Sequence, residues 1–213
     1  MSAQNISGQI AKALLEIEAI KLSPNQPFTW SSGWKSPIYC DNRLSLSFPE
    51  IRTLVKKSLA SRILEQFPQA EAIAGVATAG IPQGALVAEE LNLPFIYVRS
   101  KAKGHGMENL IEGKATEGQK VVVIEDLIST GGSSLKAVDA LRQAGIVVLG
   151  LAAIFTYGFP LADENFKAKA VDYFTLSDYS SMLKVALEEH YVSKDILASL
   201  ENWRKDPANW KPD

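Results

Sequence analysis

Apolar positions along the chain follow two rhythms. Between Ser7 and Ile20, the residues Ile10, Leu14 and Ile17 fall on one helical stripe. Between Pro49 and Phe67, the residues Ile51, Val55, Leu59, Ile63 and Phe67 recur every fourth position, and Pro68 follows. Both segments are expected as amphipathic packing helices. Ala72–Val76, Pro94–Val98, Lys120–Ile124 and Ile146–Phe155 are instead short, continuous apolar runs. Bounded by turn residues, such runs are expected as strands buried on both faces. A helix is expected from the Thr78-Ala79-Gly80-Ile81-Pro82 turn through Leu91. Another carries Leu135, Val138 and Leu141 on one face and stops at Gly145. Beyond Leu161 the pattern predicts two or three helices, packed through Val185, Leu187, Ile196, Leu197, Leu200 and Trp203, with His190 structural or exposed. Strands alternating with helices imply an α/β fold: a parallel sheet, right-handed crossovers and helices on both faces.

In such a sheet, ligands sit at the carboxyl ends of the strands. The stretch at one such end, Val121 to Ser134, is VVVIEDLISTGGSS. An apolar strand meets two adjacent acids, Glu125 and Asp126, then a Ser/Thr/Gly loop that opens a helix. Unpaired N–H groups at a helix N-terminus favour an anion. Gly131 and Gly132 allow the backbone to wrap a phosphate, and Ser129, Thr130 and Ser133 add donors. Two carboxylates beside a phosphate cradle are expected to meet another part of the ligand, such as sugar hydroxyls or a bound Mg²⁺. Thr78-Ala79-Gly80 and Arg99 fall at neighbouring strand ends and can share this site.

Two stretches have neither period. Leu22 to Leu46 is broken by Pro24, Pro27, Gly33 and Pro37, and includes FTWSSGWKSPIYCDNR from Phe28 to Arg43. Its mix of aromatics, hydroxyls, Lys35, Asp41 and Arg43 fits a binding surface or a short hairpin with exposed polar residues equally well. Arg99 to Gly113, RSKAKGHGMENLIEG, places Arg99, Lys101, Lys103 and His105 among glycines. It is either a solvated loop or a lid that closes over an anion.

The 213 residues are 46% hydrophobic and 22% charged with a net charge of −2, which fits a soluble globular protein and gives no bulk-charge reason for a nucleic-acid partner. No apolar run approaches bilayer length, the N-terminal stretch lacks signal-peptide architecture, and the lone Cys40 has no disulfide partner. A cytoplasmic protein without membrane contact is expected. The dinucleotide and NTPase glycine motifs, zinc-type Cys/His spacing and the GxSxG elbow are all absent.

The stretch from Val121 to Ser133 resembles the phosphoribosyl-diphosphate signature of type I phosphoribosyltransferases: apolar run, acid-Asp, two apolar residues, then the Ser/Thr/Gly loop. SGWKSPIY within Phe28–Arg43, and RSKAKGHG from Arg99 to Gly106, resemble the substrate loop and flexible catalytic loop of the orotate phosphoribosyltransferase family. Thr78-Ala79-Gly80-Ile81-Pro82 resembles a turn common in that family. The chain departs from some members at Ser31, Ala79 and Ser100, where they carry lysine, and at Thr156-Tyr157-Gly158, where they carry an arginine that contacts orotate. The resemblance implies a single domain over 1–213, in which 1–47 forms a small hood over the base and 48–213 forms the type I core and C-terminal helices. It implies transfer of ribose 5-phosphate from phosphoribosyl diphosphate to orotate, giving orotidine 5′-phosphate and pyrophosphate in pyrimidine biosynthesis, with Mg²⁺ carried mainly on the substrate and no direct protein ligand. Lys103, His105 and Asp126 would be catalytic. Arg99, Lys103, His105, Glu125, Asp126, Leu127, Ile128, Ser129, Thr130, Gly131, Gly132 and Ser133 would bind phosphoribosyl diphosphate, and Ser129, Lys35 and Tyr39 would bind orotate. A homodimer sharing the Arg99–Gly113 loop across its interface is implied. The alternatives are a sister enzyme for another base, a non-catalytic sensor of phosphoribosyl diphosphate, or a carboxylate-metal hydrolase built on Glu125 and Asp126.

Overall fold

In the computed structural model, residues 3–30, 33–101 and 110–211 are described. Helix α1 (Ala3–Glu16) precedes four short strands: β1 (Ile20–Leu22), β2 (Phe28–Thr29), β3 (Lys35–Ser36) and β4 (Ile38–Cys40). A 3-10 helix (Asn42–Ser47) leads into α2 (Pro49–Gln66). The core then runs β5 (Ala72–Val76), α3 (Gly80–Leu91), β6 (Phe95–Val98), β7 (Ile111–Glu112), β8 (Lys120–Ile128), α4 (Gly132–Gln143) and β9 (Val147–Thr156). It ends with α5 (Pro160–Ala168), β10 (Tyr173–Asp178), α6 (Tyr179–Glu188) and α7 (Lys194–Lys205).

Strands β10-β9-β8-β5-β6-β7 form the main sheet in that order. All neighbours are parallel except the edge pair β6–β7. The expected α/β sheet with helices on both faces is present, and the alternation of side chains along each strand shows how. Ile73, Val122, Ile124, Ala152 and Ile154 join a core cluster with α1, α2, α3, α6 and α7. Ala72, Ala74, Val121, Val123, Leu151 and Ala153 join a second cluster with α4 and α5. A strand loaded on both faces needs an unbroken apolar run, as β5 and β8 have. Each fully buried aliphatic side chain here contributes about 1.5–3 kcal/mol.

Some expectations change. The first helix ends at Glu16, short of Ile20, because Glu18 adopts a left-handed φ of 55° and Ile20 pairs with Cys40 in β1–β4. Strand β8 continues past Ile124 to Ile128, because Leu127 and Ile128 stay in register with Phe155 and Thr156 of β9. The two acids therefore stand on strand rather than in a loop. The tail is not purely helical: β10 extends the sheet by pairing with β9. Its sequence YFTLSD is rich in aromatic and β-branched residues but too short to stand out against the helices that flank it. Ile111–Glu112, inside the stretch without a period, forms the antiparallel edge.

Helix α1 packs into the core, and the short strands that follow it make the hood. Strands β1–β4 and β2–β3 are small antiparallel pairs. They hold together through aromatic packing rather than strand length. The Trp203 indole of α7 donates to Lys35 O at 3.2 Å, and its ring meets Trp30 edge-on at 5.6 Å. Trp203 is fully buried, so α7 ties the hood to the core.

Candidate active site

The site is assembled at the carboxyl end of β8. As far as Glu125, odd-numbered residues of this strand face α4 and even-numbered residues face the opposite cluster; past the acids the order reverses, with Leu127 against the opposite cluster and Ile128 on the α4 side. Glu125 accordingly turns toward α4, where its carboxylate accepts from Ser134 Oγ at 3.2 Å and from the Asp126 backbone N–H at 3.1 Å. It is 5% exposed. Burial pushes its carboxyl well above the ordinary glutamate value, and the neighbouring Asp126 charge adds to that. Asp126 is also raised, chiefly by burial, and Arg43 opposes the shift. Asp126 faces the hood, whose Asn42 donates through Nδ2 to the Asp126 carbonyl at 2.7 Å. Arg43 is held by a two-pronged pair to Asp41 at 2.6 and 2.8 Å, which lowers the Asp41 carboxyl.

Beyond Asp126 the strand gives way to Ser129–Gly131 and the start of α4. Gly131 has φ 79°, and a Cβ there would lie 2.5 Å from Phe166 Cε2. A glycine is thus required twice over, for conformation and for space. Asn165 Nδ2 donates to Thr130 O at 2.9 Å and pins the loop from α5. No side chain caps the N-terminus of α4, so its first amides are open to an anion.

A second loop, Ala77–Ala79, joins β5 to α3 beside this one and contains a cis peptide at Ala77–Thr78. Gly80 follows it, pressed against β8: a Cβ there would meet Ile124 O at 2.3 Å. That contact brings the start of α3 next to the carboxylate pair.

Between hood and core lies a cleft of about 570 Å³. Thr29, Trp30, Trp34, Tyr39 and Cys40 line it from the hood, and Leu127, Ser129, Thr130 and Tyr157 from the core. Its walls are aromatic and its polar groups few, the usual make-up of a site for a flat organic ligand. The stretch from Phe28 to Arg43 thus contains a short antiparallel pair, β2–β3, and also supplies Thr29, Trp30, Trp34, Tyr39 and Cys40 to the cleft.

The structure brings together Glu125, Asp126, Leu127, Ile128, Ser129, Thr130, Gly131, Gly132 and Ser133 along one strand, loop and helix start. Tyr39 and Ser129 border the cleft. Lys35 is not among the residues that line it; Lys35 Nζ donates instead to Thr29 Oγ1 at 2.8 Å across the hairpin. Arg99 stands just past β6, with Nη1 at 3.6 Å from Glu112 Oε1 and no hydrogen bond to that nitrogen among the described residues. Lys103 and His105 lie outside the described residues. Neither Asn42 nor Trp30 stands out in the sequence. Asn42 carries no local signal, since a buried amide inside a polar stretch looks like its exposed neighbours. Trp30 is one of four aromatic residues from Phe28 to Tyr39, and nothing local sets it apart from the others.

The model for a phosphoribosyl transferase domain matches residues 48–190. An orotate phosphoribosyltransferase from Cytophaga hutchinsonii is 58% identical over 207 residues, covering 97% of this chain and 99% of the relative. One from Phocaeicola vulgatus is 61% identical over 201 residues, covering 94% and 95%. The crystal structure of orotate phosphoribosyltransferase from Aeropyrum pernix aligns with a TM-score of 0.76 at 28% identity, over 86% of this chain and 99% of that one. Sequence and fold thus agree, and the chain belongs to the orotate phosphoribosyltransferase family.

Proposed function

We propose that this chain transfers ribose 5-phosphate from phosphoribosyl diphosphate to orotate, forming orotidine 5′-phosphate and releasing pyrophosphate in pyrimidine biosynthesis. The observation that carries the reading is the arrangement around the end of β8. A buried carboxylate pair stands between an uncapped helix N-terminus and an aromatic cleft. A phosphate, a ribose and a flat base each find a complementary surface in that order.

Orotate nitrogen attacks C1 of the ribose while the bond from C1 to the pyrophosphate oxygen breaks, and the bonding pair leaves with pyrophosphate. Positive charge develops on the ribose ring, and negative charge on the leaving group. Open amides of α4, with Ser129, Thr130 and Ser133, take the 5′-phosphate. Glu125 and Asp126 accept from the ribose 2′- and 3′-hydroxyls. Those hydroxyl donors favour the ionised form of the two carboxyls and so oppose the upward push of burial on the groups that face the developing cation. Arg99, Lys103 and His105 neutralise the leaving group; loss of one such preorganised donor costs roughly 3 kcal/mol. Among the described residues, no group of three or more acidic, His or Cys side chains could hold a metal. Mg²⁺ is read as an ion carried mostly by substrate oxygens. The ion would offset part of the diphosphate charge.

The expected assembly is a homodimer that shares the Arg99–Gly113 loop, and the expected compartment is the cytoplasm. Among the described residues no helix is long and apolar enough to cross a membrane. The deciding assay follows orotate absorbance with phosphoribosyl diphosphate and Mg²⁺. Orotate should disappear at a rate that collapses in Lys103→Ala. Turnover of hypoxanthine, guanine or uracil in place of orotate would assign a different base. Ligand binding with no turnover of any base would indicate a sensor.

A further inference from the structure

Tyr157 follows β9 and is 3% exposed. Its ring is clamped by Trp30 at 5.1 Å, Phe159 at 5.5 Å, Trp203 at 5.7 Å and Phe155 at 5.8 Å. Those contacts account for the ring and leave the hydroxyl unexplained. A buried phenol ordinarily finds a hydrogen-bond partner. Tyr179 in the same cluster does, donating to Leu200 O at 3.1 Å. The Tyr157 hydroxyl has no partner among the described residues, yet it is not sealed in the core. The enclosed side-chain atoms left without a partner there are Gln83 Oε1 and Arg99 Nη1. The hydroxyl therefore opens on the cleft, beside Ser129, Thr130 and Cys40.

We propose, resting on the reading that this cleft takes orotate, that Tyr157 determines base specificity: its hydroxyl donates a hydrogen bond to an oxygen of the bound base. No lysine, arginine or histidine is among the described residues that line the cleft. Those residues offer neutral donors to a base bearing a carboxylate and ring carbonyls. Burial raises the phenol well above its ordinary pKa, so it keeps its proton throughout the working range and can only donate to an anion. The surrounding rings hold the donor in place before the base arrives, so binding needs no reorganisation of it. A base lacking the acceptor would leave the phenol unpaired, and that is how a hydrogen-bonding pocket rejects analogues.

Tyr157→Phe removes the hydroxyl and keeps the ring contacts. The KM for orotate should rise about tenfold, as for a hydrogen bond to a charged acceptor. The KM for phosphoribosyl diphosphate and the melting temperature should stay as in the parent protein. Quenching of Trp30 and Trp34 fluorescence by orotidine 5′-phosphate supplies a readout without turnover, and the affinity should weaken by the same factor. An unchanged KM for orotate overturns the proposal. So does an equal rise in both KM values, or a lowered melting temperature with orotate affinity intact, since each assigns Tyr157 to packing. If the parent protein itself fails to consume orotate, the functional reading falls first and takes this inference with it.

Discussion

Asn42 and Asp126, 84 positions apart, are joined by a hydrogen bond of 2.7 Å from the Asn42 amide to the Asp126 carbonyl. Asn42 is fully buried, and its own Oδ1 accepts from the Cys40 thiol at 3.3 Å. The link continues away from the cleft: Ser45 Oγ donates to Asn42 O at 2.6 Å, and Gln83 Nε2 of α3 donates to Ser45 Oγ at 3.1 Å. One buried polar chain thus connects the cleft wall, the carboxylate strand and the helix that follows the Ala77–Ala79 loop.

Asn42→Leu keeps the volume and orphans the Asp126 carbonyl. The expected loss of stability is about 1–3 kcal/mol, read as a lower urea midpoint. Because the carbonyl belongs to a residue placed at the ribose, the rate should fall as well. Full activity in the variant would mean that strand β8 holds Asp126 unaided.

Glu125→Gln tests the raised carboxyl. An unfolded glutamate titrates near 4.5, and the folded one titrates above it. Between those two values the folded chain binds more protons than the unfolded chain, so stability falls as pH rises through that window. The amide has no such penalty. It can also accept from the Asp126 N–H while donating to Ser134 Oγ, since a hydroxyl plays either part. The variant should match the parent at pH 4, exceed it in melting temperature at pH 8, and lose activity at both. A stability difference independent of pH would count against the buried, raised carboxyl.

Gly131→Ala and Gly158→Ala separate conformation from space. Both glycines have positive φ, 79° and 68°, but a Cβ at Gly158 meets nothing within 4 Å whereas one at Gly131 strikes Phe166. Gly158→Ala should cost about 1–2 kcal/mol. Gly131→Ala should cost that plus about 1–3 kcal/mol of overpacking, and should raise the KM for phosphoribosyl diphosphate. Equal denaturation midpoints for the two variants would show that Phe166 moves freely.

Trp203→Leu should loosen the hood. The indole bond to Lys35 O and the ring contacts to Trp30, Tyr157, Phe159 and Tyr179 all go. A loss approaching about 3–5 kcal/mol is expected. The KM for orotate should suffer more than that for phosphoribosyl diphosphate, since α4 packs on the other face of the sheet. Kinetics with both substrates, measured below the new melting temperature, check this.

The sequence by itself determined four of the six sheet strands, most of the helices and half of the candidate site. Local chemistry suffices for those: a strand buried on both faces must be apolar throughout, a helix packed on one face must repeat its apolar residues, and a phosphate loop must be small and flexible in one continuous run. Val121 to Ser133 is such a run, and its members needed no distant partner to be recognised. The strand β10, the extension of β8 through both acids and the end of α1 were settled by neighbouring strands, because pairing across a sheet overrides short-range preference. The cleft was decided by tertiary structure alone. Trp30, Tyr157 and Trp203 are far apart in the chain, and nothing local makes an aromatic residue part of a wall rather than of a core. Asn42 and the Tyr157 hydroxyl acquire their meaning only from what folding sets beside them: a carbonyl for the first, and open space for the second.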